Sequence, residues 1–273
     1  MHRHYRGLWL LLATALCLFV AYSFTEPVTI FGHEMARAPF ADVLTAQPQA
    51  TVATTASGQT ATAPNGTATP TDSIKPTEQT PAPTDTAAKT ILFIGDSMLE
   101  GLSPRLAAYA TANGHTLYSV IWYSSTSEIW GQSDKITKYI NRLHPDYIFI
   151  SLGANELFVR DIKTKRDKYV KKMLADIGDI PYVWIGPPNW KPDTGINDLI
   201  AANAAPGTFF VSNGMHFDRS KDGAHPTRQS AIEWMDSVAR WMPLHSAHPI
   251  RMDKPEARTG HPKRIFVHQP SER

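Results

Sequence analysis

The chain has 273 residues, a formal net charge of +2 at pH 7 and a pI near 8.6. Before the C-terminal tail only the segment 163–172 concentrates Lys and Arg, so the charge does not indicate a nucleic-acid-binding protein. The only cysteine, Cys17, lies in an N-terminal apolar segment, which excludes a disulfide framework elsewhere. Beyond the pair Asp222 and His225, no His/Asp cluster has metal-ligand spacing, and we predict neither a metal nor a cofactor.

The N-terminus has the pattern of an export signal. Arg3 and Arg6 precede an uncharged run of seventeen residues, Leu8–Phe24. As a helix this run would be roughly 25 Å long, slightly less than a ~30 Å hydrocarbon core. We expect residues 1–24 to be a membrane anchor or a cleaved signal peptide. Both would place the rest of the chain outside the cytoplasm, in a bacterial periplasm or at the cell surface, and cleavage would give a secreted protein.

Composition divides the rest of the chain into four parts. Residues 25–46 form a juxtamembrane segment without a strong period, and residues 47–88 are rich in Thr, Ala and Pro. The second segment has too few apolar residues to offset its ordering entropy, so we predict a disordered linker. A folded domain is expected over residues 89–245. The basic tail, residues 246–273, is predicted to be disordered, and contact with an anionic surface or polymer is an open alternative.

Within the domain, predicted strands alternate with predicted helices. The helices are expected over Leu102–Asn113, Ser133–Leu143, Arg166–Ile177 and Thr227–Met242. The strands are expected over Thr90–Ile94, Thr116–Trp122, Tyr147–Leu152, Tyr182–Ile185 and Thr208–Val211. Such alternation predicts an α/β fold, a flavodoxin-like three-layer sandwich with a five-stranded parallel sheet.

Three polar motifs fall where ligands bind in such sheets, beyond the carboxyl ends of the strands. They are Gly95-Asp96-Ser97 after the first strand, Gly153-Ala154-Asn155-Glu156 after the third, and Asp222-Gly223-Ala224-His225 before the last helix. Ser97 is the candidate nucleophile, since a serine at a strand-to-helix turn is exposed near free helical amides. His225 is the candidate base, and Asp222 can orient its imidazole. We predict a structural role for Asp96.

A tetrahedral oxyanion at this position would need hydrogen-bond donors. The predicted donors are the Ser97 amide, the Asn155 side chain and an amide in the loop after the second strand. Asn155 is also a common type of helix cap. Glu156 is predicted either to contribute to a substrate pocket or to have a solvated or capping role. Trp130 and Trp190 are predicted at the rim, where they would stack on sugar rings or pack under loops.

Over about Lys89–Met242 the three motifs resemble those of the SGNH (GDSL-like) hydrolase superfamily. The resemblance implies a serine esterase with Ser97, Asp222 and His225 as catalytic residues and Ser97 and Asn155 as oxyanion donors. In that superfamily the loop after the second strand carries a glycine whose amide also donates. Here the loop reads Tyr-Ser-Ser-Thr-Ser over residues 123–127. Ser124 or Ser125 is expected to replace the glycine, with Gly131 as the alternative.

The combined expectation is a membrane-tethered esterase that removes O-acetyl groups from an extracytoplasmic glycan through an acyl-Ser97 intermediate. One alternative is an O-acetyltransferase that modifies an exopolysaccharide or cell-wall glycan with the same residues. Another is a catalytically silent glycan-binding or secretion accessory module. The expected partners are the acylated polysaccharide, the membrane through the N-terminal helix, and polysaccharide synthesis or export machinery.

Overall fold

The computed structural model describes residues 82–272 and the backbone of two short strands near the N-terminus. These strands, Thr29–Ile30 and His33–Glu34, pair antiparallel. They belong to a unit that ends at Ser73, and the unit beginning at Ile74 contains the predicted domain. The predicted anchor and most of the predicted linker lie outside the described residues. In the described part of the chain, no helix is both long and apolar enough to span a bilayer.

The domain is a three-layer α/β sandwich around a six-stranded parallel sheet. Its strands are β1 (Thr90–Gly95), β2 (Thr116–Trp122), β3 (Tyr147–Ser151), β4 (Tyr182–Ile185), β5 (Phe209–Phe210) and β6 (Arg264–His268). Their order across the sheet is β5-β4-β3-β1-β2-β6. Five strands were predicted, and the sixth comes from the tail that we expected to be disordered. The order reverses between β1 and β3, so a ligand crevice is expected at their carboxyl ends.

Helices cover both faces of the sheet. They are α1 (Leu99–Ala112), α2 (Ser127–Gln132), α3 (Lys135–Leu143), α4 (Ile162–Ile177), α5 (Ile196–Asn203) and α6 (Arg228–His245). Alternate residues of the central strand face opposite layers. Phe93 packs with Leu102 and Trp234 in one core, and Leu92 packs with Trp122 and Trp184 in the other. Burial on both faces is the reason the central strands are continuously apolar.

Two helices differ from the sequence prediction because of local side-chain hydrogen bonds. The helix predicted over Ser133–Leu143 is α3, which begins two residues later at Lys135, and the short helix α2 before Ser133 was not predicted. The Ser133 hydroxyl donates to the Trp130 carbonyl and accepts from the Lys135 amide, which ends one helix and begins the next. Helix α5 was not predicted. It begins where the Asp193 carboxylate accepts the amides of Gly195, Ile196 and Asn197.

The tail forms β6 because β2 would otherwise leave an open sheet edge. It pairs in parallel with β2 from Tyr118–Arg264 to Trp122–His268. Phe266 packs against Tyr139 of α3 with ring centroids 5.0 Å apart. The Tyr123 amide donates to the His268 carbonyl at 3.0 Å, so the last strand also holds the loop that follows β2.

The segment between α6 and β6 is held against α1 by Arg105, which also forms a buried ion pair with Asp236 of α6. Arg105 Nε lies 2.6 Å from Asp236 Oδ1, and Tyr109 donates to the same carboxylate oxygen at 3.0 Å. Arg105 Nη1 donates to the carbonyls of Ala257 and Arg258 at 2.7 and 3.2 Å. Composition alone predicted disorder here, whereas these directed contacts require both helices to be in place.

The domain also begins earlier than predicted. The Asp85 amide donates to the Pro249 carbonyl at 2.7 Å, and the Arg251 amide donates to the Asp85 carbonyl at 2.9 Å. The predicted linker was expected to extend to residue 88, and these bonds place its last residues within the domain.

Candidate active site

The candidate nucleophile lies at the centre of the sheet, in the turn between β1 and α1. Gly95 ends β1 so close to β3 that an added Cβ would lie 2.0 Å from the Ser151 carbonyl oxygen. The Asp96 amide donates to the same carbonyl at 3.2 Å. The chain therefore leaves the sheet tightly against β3 and presents Ser97 ahead of α1. Among the described residues the Ser97 amide has no hydrogen-bond acceptor.

The structure brings Ser97, His225 and Asp222 into one hydrogen-bonded chain. Ser97 Oγ lies 2.7 Å from His225 Nε2, and His225 Nδ1 lies 2.7 Å from Asp222 Oδ2. A proton on Nδ1 leaves Nε2 free to accept the serine proton. The three residues come from opposite ends of the domain, and they meet in the arrangement that a nucleophile, a base and an orienting carboxylate would require.

The Asp222 carboxylate is held by its own loop. Asp222 Oδ1 accepts the amides of Ala224 and His225 at 2.9 and 3.0 Å. The backbone hydrogen bond from His225, followed by that from Ala224 and the imidazole contact, lowers the pKa of Asp222 to about 2. The carboxylate is therefore ionised at any pH at which His225 could act as a base, which stabilises the imidazolium formed when Ser97 gives up its proton.

The loop after β2 supplies a conformation that usually requires glycine. Ser124 has a φ of 54°, in the left-handed region that glycine adopts most easily. Its amide has no acceptor among the described residues, whereas the Ser125 amide donates to the Trp122 carbonyl at 3.2 Å. Of the two serines expected to replace the glycine, Ser124 is thus the one whose amide is free to donate.

Asn155 joins this loop to the end of β3. Its Nδ2 donates to the Ser125 carbonyl at 3.0 Å, which uses one of the two amide hydrogens. The second hydrogen remains available to a bound oxyanion. Asn155 lies in a turn and caps none of the helices in residues 82–272.

Glu156 does not line a substrate pocket, because its side chain is fully buried behind the loop after β2. Its two oxygens accept the Ser127 hydroxyl and the Ser127 amide, each at 2.8 Å. Arg166 Nε lies 3.0 Å from Oε1. Burial raises the pKa of Glu156, and the Ser127 and Arg166 donors act in the opposite direction. The residue positions the first turn of α2 and, through it, the loop that carries Ser124.

The two tryptophans have different positions. Trp130 is buried with 0 % exposure, and its indole nitrogen donates to Ser125 Oγ at 2.9 Å, so the predicted rim position is wrong for this residue. Trp190 is partly buried and donates to the Ala154 carbonyl at 2.9 Å. Its ring meets Phe158, which the sequence analysis missed, edge to face at 6.3 Å. Phe158 is 54 % exposed, so this pair presents an aromatic surface beside the Asn155 loop, and the Lys191 ammonium lies over it, 4.7 Å from the Trp190 ring centroid.

A cleft of about 330 Å³ opens next to Ser97 and His225. Its lining includes Pro104 of α1, Arg228 of α6 and Thr259 of the folded tail. None of the three was predicted from the sequence. The run from Arg264 to His268, apolar at its centre, was the available sign that the tail is folded. Within residues 82–272, no three His, Cys, Asp or Glu side chains form a group that could hold a metal ion.

Replacing Glu156 by glutamine is expected to lower kcat about tenfold, because the loop after β2 would lose a carboxylate that accepts the Ser127 amide. It would also leave Arg166 without its buried partner and lower the free energy of unfolding by about 3 kcal/mol. Glu128→Gln is the matched control, since Glu128 pairs with the same arginine at 2.8 Å but is 34 % exposed. Its expected cost is below about 1 kcal/mol. Equal effects on denaturant unfolding and kcat would contradict the positioning role.

Asp96 is buried beside the nucleophile. Its Oδ1 accepts the Met98 amide at 2.9 Å, whereas Oδ2 has no partner within residues 82–272. Burial raises the pKa of Asp96 to about 7, the Met98 amide and His225 oppose that shift, and the Glu156 carboxylate adds to it. The structural role predicted for this residue fits its contacts.

The raised pKa of Asp96 predicts how stability depends on pH. An unfolded aspartate loses its proton near pH 4, so between about pH 4 and 7 the folded state binds more protons than the unfolded state. The free energy of unfolding should therefore fall as pH rises through this window, by up to a few kcal/mol. Asp96→Asn should flatten this dependence in denaturant unfolding measured from pH 4 to 8. Asp218→Asn, at an exposed carboxylate, should leave the slope unchanged. A wild-type slope retained in Asp96→Asn would rule out Asp96 as its source.

No protein-family profile matches the chain, and no curated protein matches it. Among solved structures it is similar to the psychrotrophic esterase EstA from Pseudoalteromonas sp., with 17% identity and a TM-score of 0.40 over 55% of this chain and 93% of that chain. It is also similar to a salicylyl-acyltransferase from a tetracycline biosynthetic pathway, with 16% identity and a TM-score of 0.41 over 58% and 55% of the two chains. These similarities carry no residue roles, so what the site can do chemically is inferred from the geometry of Ser97, His225 and Asp222 in this chain.

Proposed function

We propose that this chain is an SGNH-type serine hydrolase that cleaves acyl esters through a covalent acyl-Ser97 intermediate. The observation that carries the proposal is the hydrogen-bonded chain from Asp222 through His225 to Ser97, with both links at 2.7 Å. A glycan-binding module without catalysis would have no need for this arrangement.

A residue of this site is positioned to carry out each step of the reaction. His225 Nε2 takes the proton from Ser97 Oγ as that oxygen bonds to the ester carbonyl carbon. The resulting oxyanion accepts hydrogen bonds from the Ser97 amide, the Ser124 amide and Asn155 Nδ2. When the intermediate collapses, the protonated imidazole gives its proton to the departing alcohol oxygen. Water, deprotonated by the same nitrogen, then attacks the acyl carbon, and the imidazolium returns that proton to Ser97 Oγ as the carboxylic acid departs.

Solvent exposure favours water over an alcohol as the acceptor. The His225 and Asp222 side chains are 35% and 51% exposed, so water reaches the base directly. Acyl transfer requires that water be excluded while the acyl-enzyme waits for its acceptor. We therefore propose hydrolysis as the main reaction, with O-acetyl transfer as the alternative that the same residues would serve.

We further propose that the acyl group is an O-acetyl group on an extracytoplasmic polysaccharide. Support comes from the uncharged run Leu8–Phe24 and the Thr, Ala and Pro-rich stretch after it, which would tether the domain within reach of a large substrate at a membrane. The aromatic surface of Phe158 and Trp190 offers a place for sugar rings to stack. Proteins that synthesise or export the polysaccharide are the proposed partners.

The test is to follow acetate release by the full chain from 4-nitrophenyl acetate and from an acetylated oligosaccharide, with and without an unacetylated acceptor. Free acetate independent of the acceptor supports hydrolysis. Acetylated acceptor as the main product would replace hydrolysis with transfer. Absence of turnover, together with no covalent adduct from a serine-directed phosphonate, would overturn the proposed function.

A further inference from the structure

The catalytic cleft continues into a second pocket lined by two arginines. This pocket, about 430 Å³, shares Arg228 and Thr259 with the catalytic cleft and adds Arg258. Arg228 begins α6, three residues after the catalytic histidine. Arg258 lies on the folded tail. Two distant parts of the chain thus bring guanidinium groups to one end of the cleft.

The position of Arg258 is built into the fold. Buried Arg105, which is paired with Asp236, donates to the carbonyls of Ala257 and Arg258. The Gly260 amide donates to the Pro104 carbonyl at 2.7 Å, and a Cβ at Gly260 would lie 2.9 Å from the Ala108 amide nitrogen. The backbone on both sides of Thr259 is therefore pressed against α1, which fixes the tail at the cleft.

The two guanidinium groups lack anionic partners. Within residues 82–272, neither Arg228 nor Arg258 has a carboxylate within 4.0 Å, and Arg258 donates to the Gln229 side-chain oxygen. Two carboxylates line the catalytic cleft, Glu100 and Asp222, and both are engaged, by the Tyr123 hydroxyl and by His225. No carboxylate is among the described residues that line the second pocket.

The position of this pocket identifies the part of the substrate that it would meet. The imidazole that protonates the departing alcohol belongs to the same loop and helix start as Arg228. The alcohol portion of the ester therefore lies on the His225 side of Ser97. A negatively charged group on that portion would find two guanidinium groups with free donors, which bind carboxylates and phosphates in a directed way.

We propose that Arg228 and Arg258 form an anion-binding subsite that selects esters whose alcohol portion carries a negative charge. On a glycan such a charge is the carboxylate of an acidic sugar. This inference rests on the proposed ester chemistry, and it narrows the substrate class to acylated acidic molecules.

The test compares 4-acetoxybenzoate with its neutral methyl ester, using the full chain. In the double variant Arg228→Gln/Arg258→Gln, kcat/KM for the charged ester should fall at least about tenfold more than kcat/KM for the neutral ester, because charge-assisted hydrogen bonds are lost. The wild-type KM for the charged ester should rise with NaCl, and this salt dependence should disappear in the double variant. Arg240→Gln, at an exposed arginine of α6 outside both pockets, is the matched control.

Binding without turnover separates the subsite from the catalytic proposal. Calorimetry of 4-acetoxybenzoate with the Ser97→Ala chain should show binding that weakens about tenfold when both arginines are replaced. If the wild-type chain cleaves neither ester but this arginine-dependent binding is present, the subsite stands and the proposed function fails. If the chain cleaves both esters and the double variant changes both equally, or changes neither, the subsite is overturned.

Discussion

Replacing Ser97 by alanine is expected to lower kcat/KM for acetyl esters by about 10⁴- to 10⁶-fold, because among the described residues that line the cleft Ser97 is the one whose hydroxyl contacts the His225 imidazole. His225→Ala should cost a similar factor, since the 2.7 Å contact with Ser97 Oγ is the only route by which the serine loses its proton to a described residue. The measurement is initial-rate acetate release, together with labelling by a serine-directed phosphonate. Both variants should retain wild-type thermal unfolding.

Two control variants separate catalysis from general damage. Ser237→Ala removes a hydroxyl on α6 that bonds to the Glu233 carbonyl, away from the cleft. His216→Ala removes an imidazole that is 95% exposed. Both should show wild-type rates. A Ser97→Ala protein that kept more than about a hundredth of wild-type activity would show that another residue is the nucleophile.

Asn155→Ala is expected to lower kcat by about 10²- to 10³-fold and to change KM much less, because the donor acts on the oxyanion rather than on the ground-state ester. Part of the loss would come through the loop after β2, because Asn155 Nδ2 also holds the Ser125 carbonyl at 3.0 Å. The measurement is a full kinetic curve with 4-nitrophenyl acetate.

Asn213→Ala serves as the control for this variant, since Asn213 is exposed and makes no side-chain hydrogen bond within residues 82–272. It should leave both kinetic constants unchanged. A kcat for Asn155→Ala within about threefold of wild type would show that the two backbone amides, Ser97 and Ser124, stabilise the oxyanion without a side-chain donor.

The strands could be predicted because their burial shows as a pattern in consecutive residues. The strand Thr116–Trp122 was predicted with its observed ends, and so was Tyr182–Ile185, because strands buried on both faces are rich in apolar residues, with Ser119 as a buried polar exception in the first. The starts of the helices were predicted less accurately. Helix α1 begins at Leu99 and α4 at Ile162, three and four residues before the predicted starts, Leu102 and Arg166. The first turn of a helix is fixed by hydrogen bonds that leave only a weak pattern in the sequence.

The tail was mispredicted for a physical reason. Its His, Pro and basic residues favour solvent, and only five residues, Arg264–His268, form a strand. That strand depends on the open edge of β2, and the segment before it depends on Arg105 and Asp236, which are 131 residues apart. A compositional argument has no access to partners at such separations.

The sequence by itself determined the parallel α/β architecture and predicted that Ser97, Asp222 and His225 lie together, because each motif follows a strand end or precedes a helix and strand ends converge in such a sheet. Tertiary structure alone decided that Ser124 rather than Ser125 has the free amide, that Glu156 and Trp130 support the loop from behind, and that the tail reaches the cleft. These outcomes depend on φ angles, burial and contacts between distant residues, which arise only when the layers pack together.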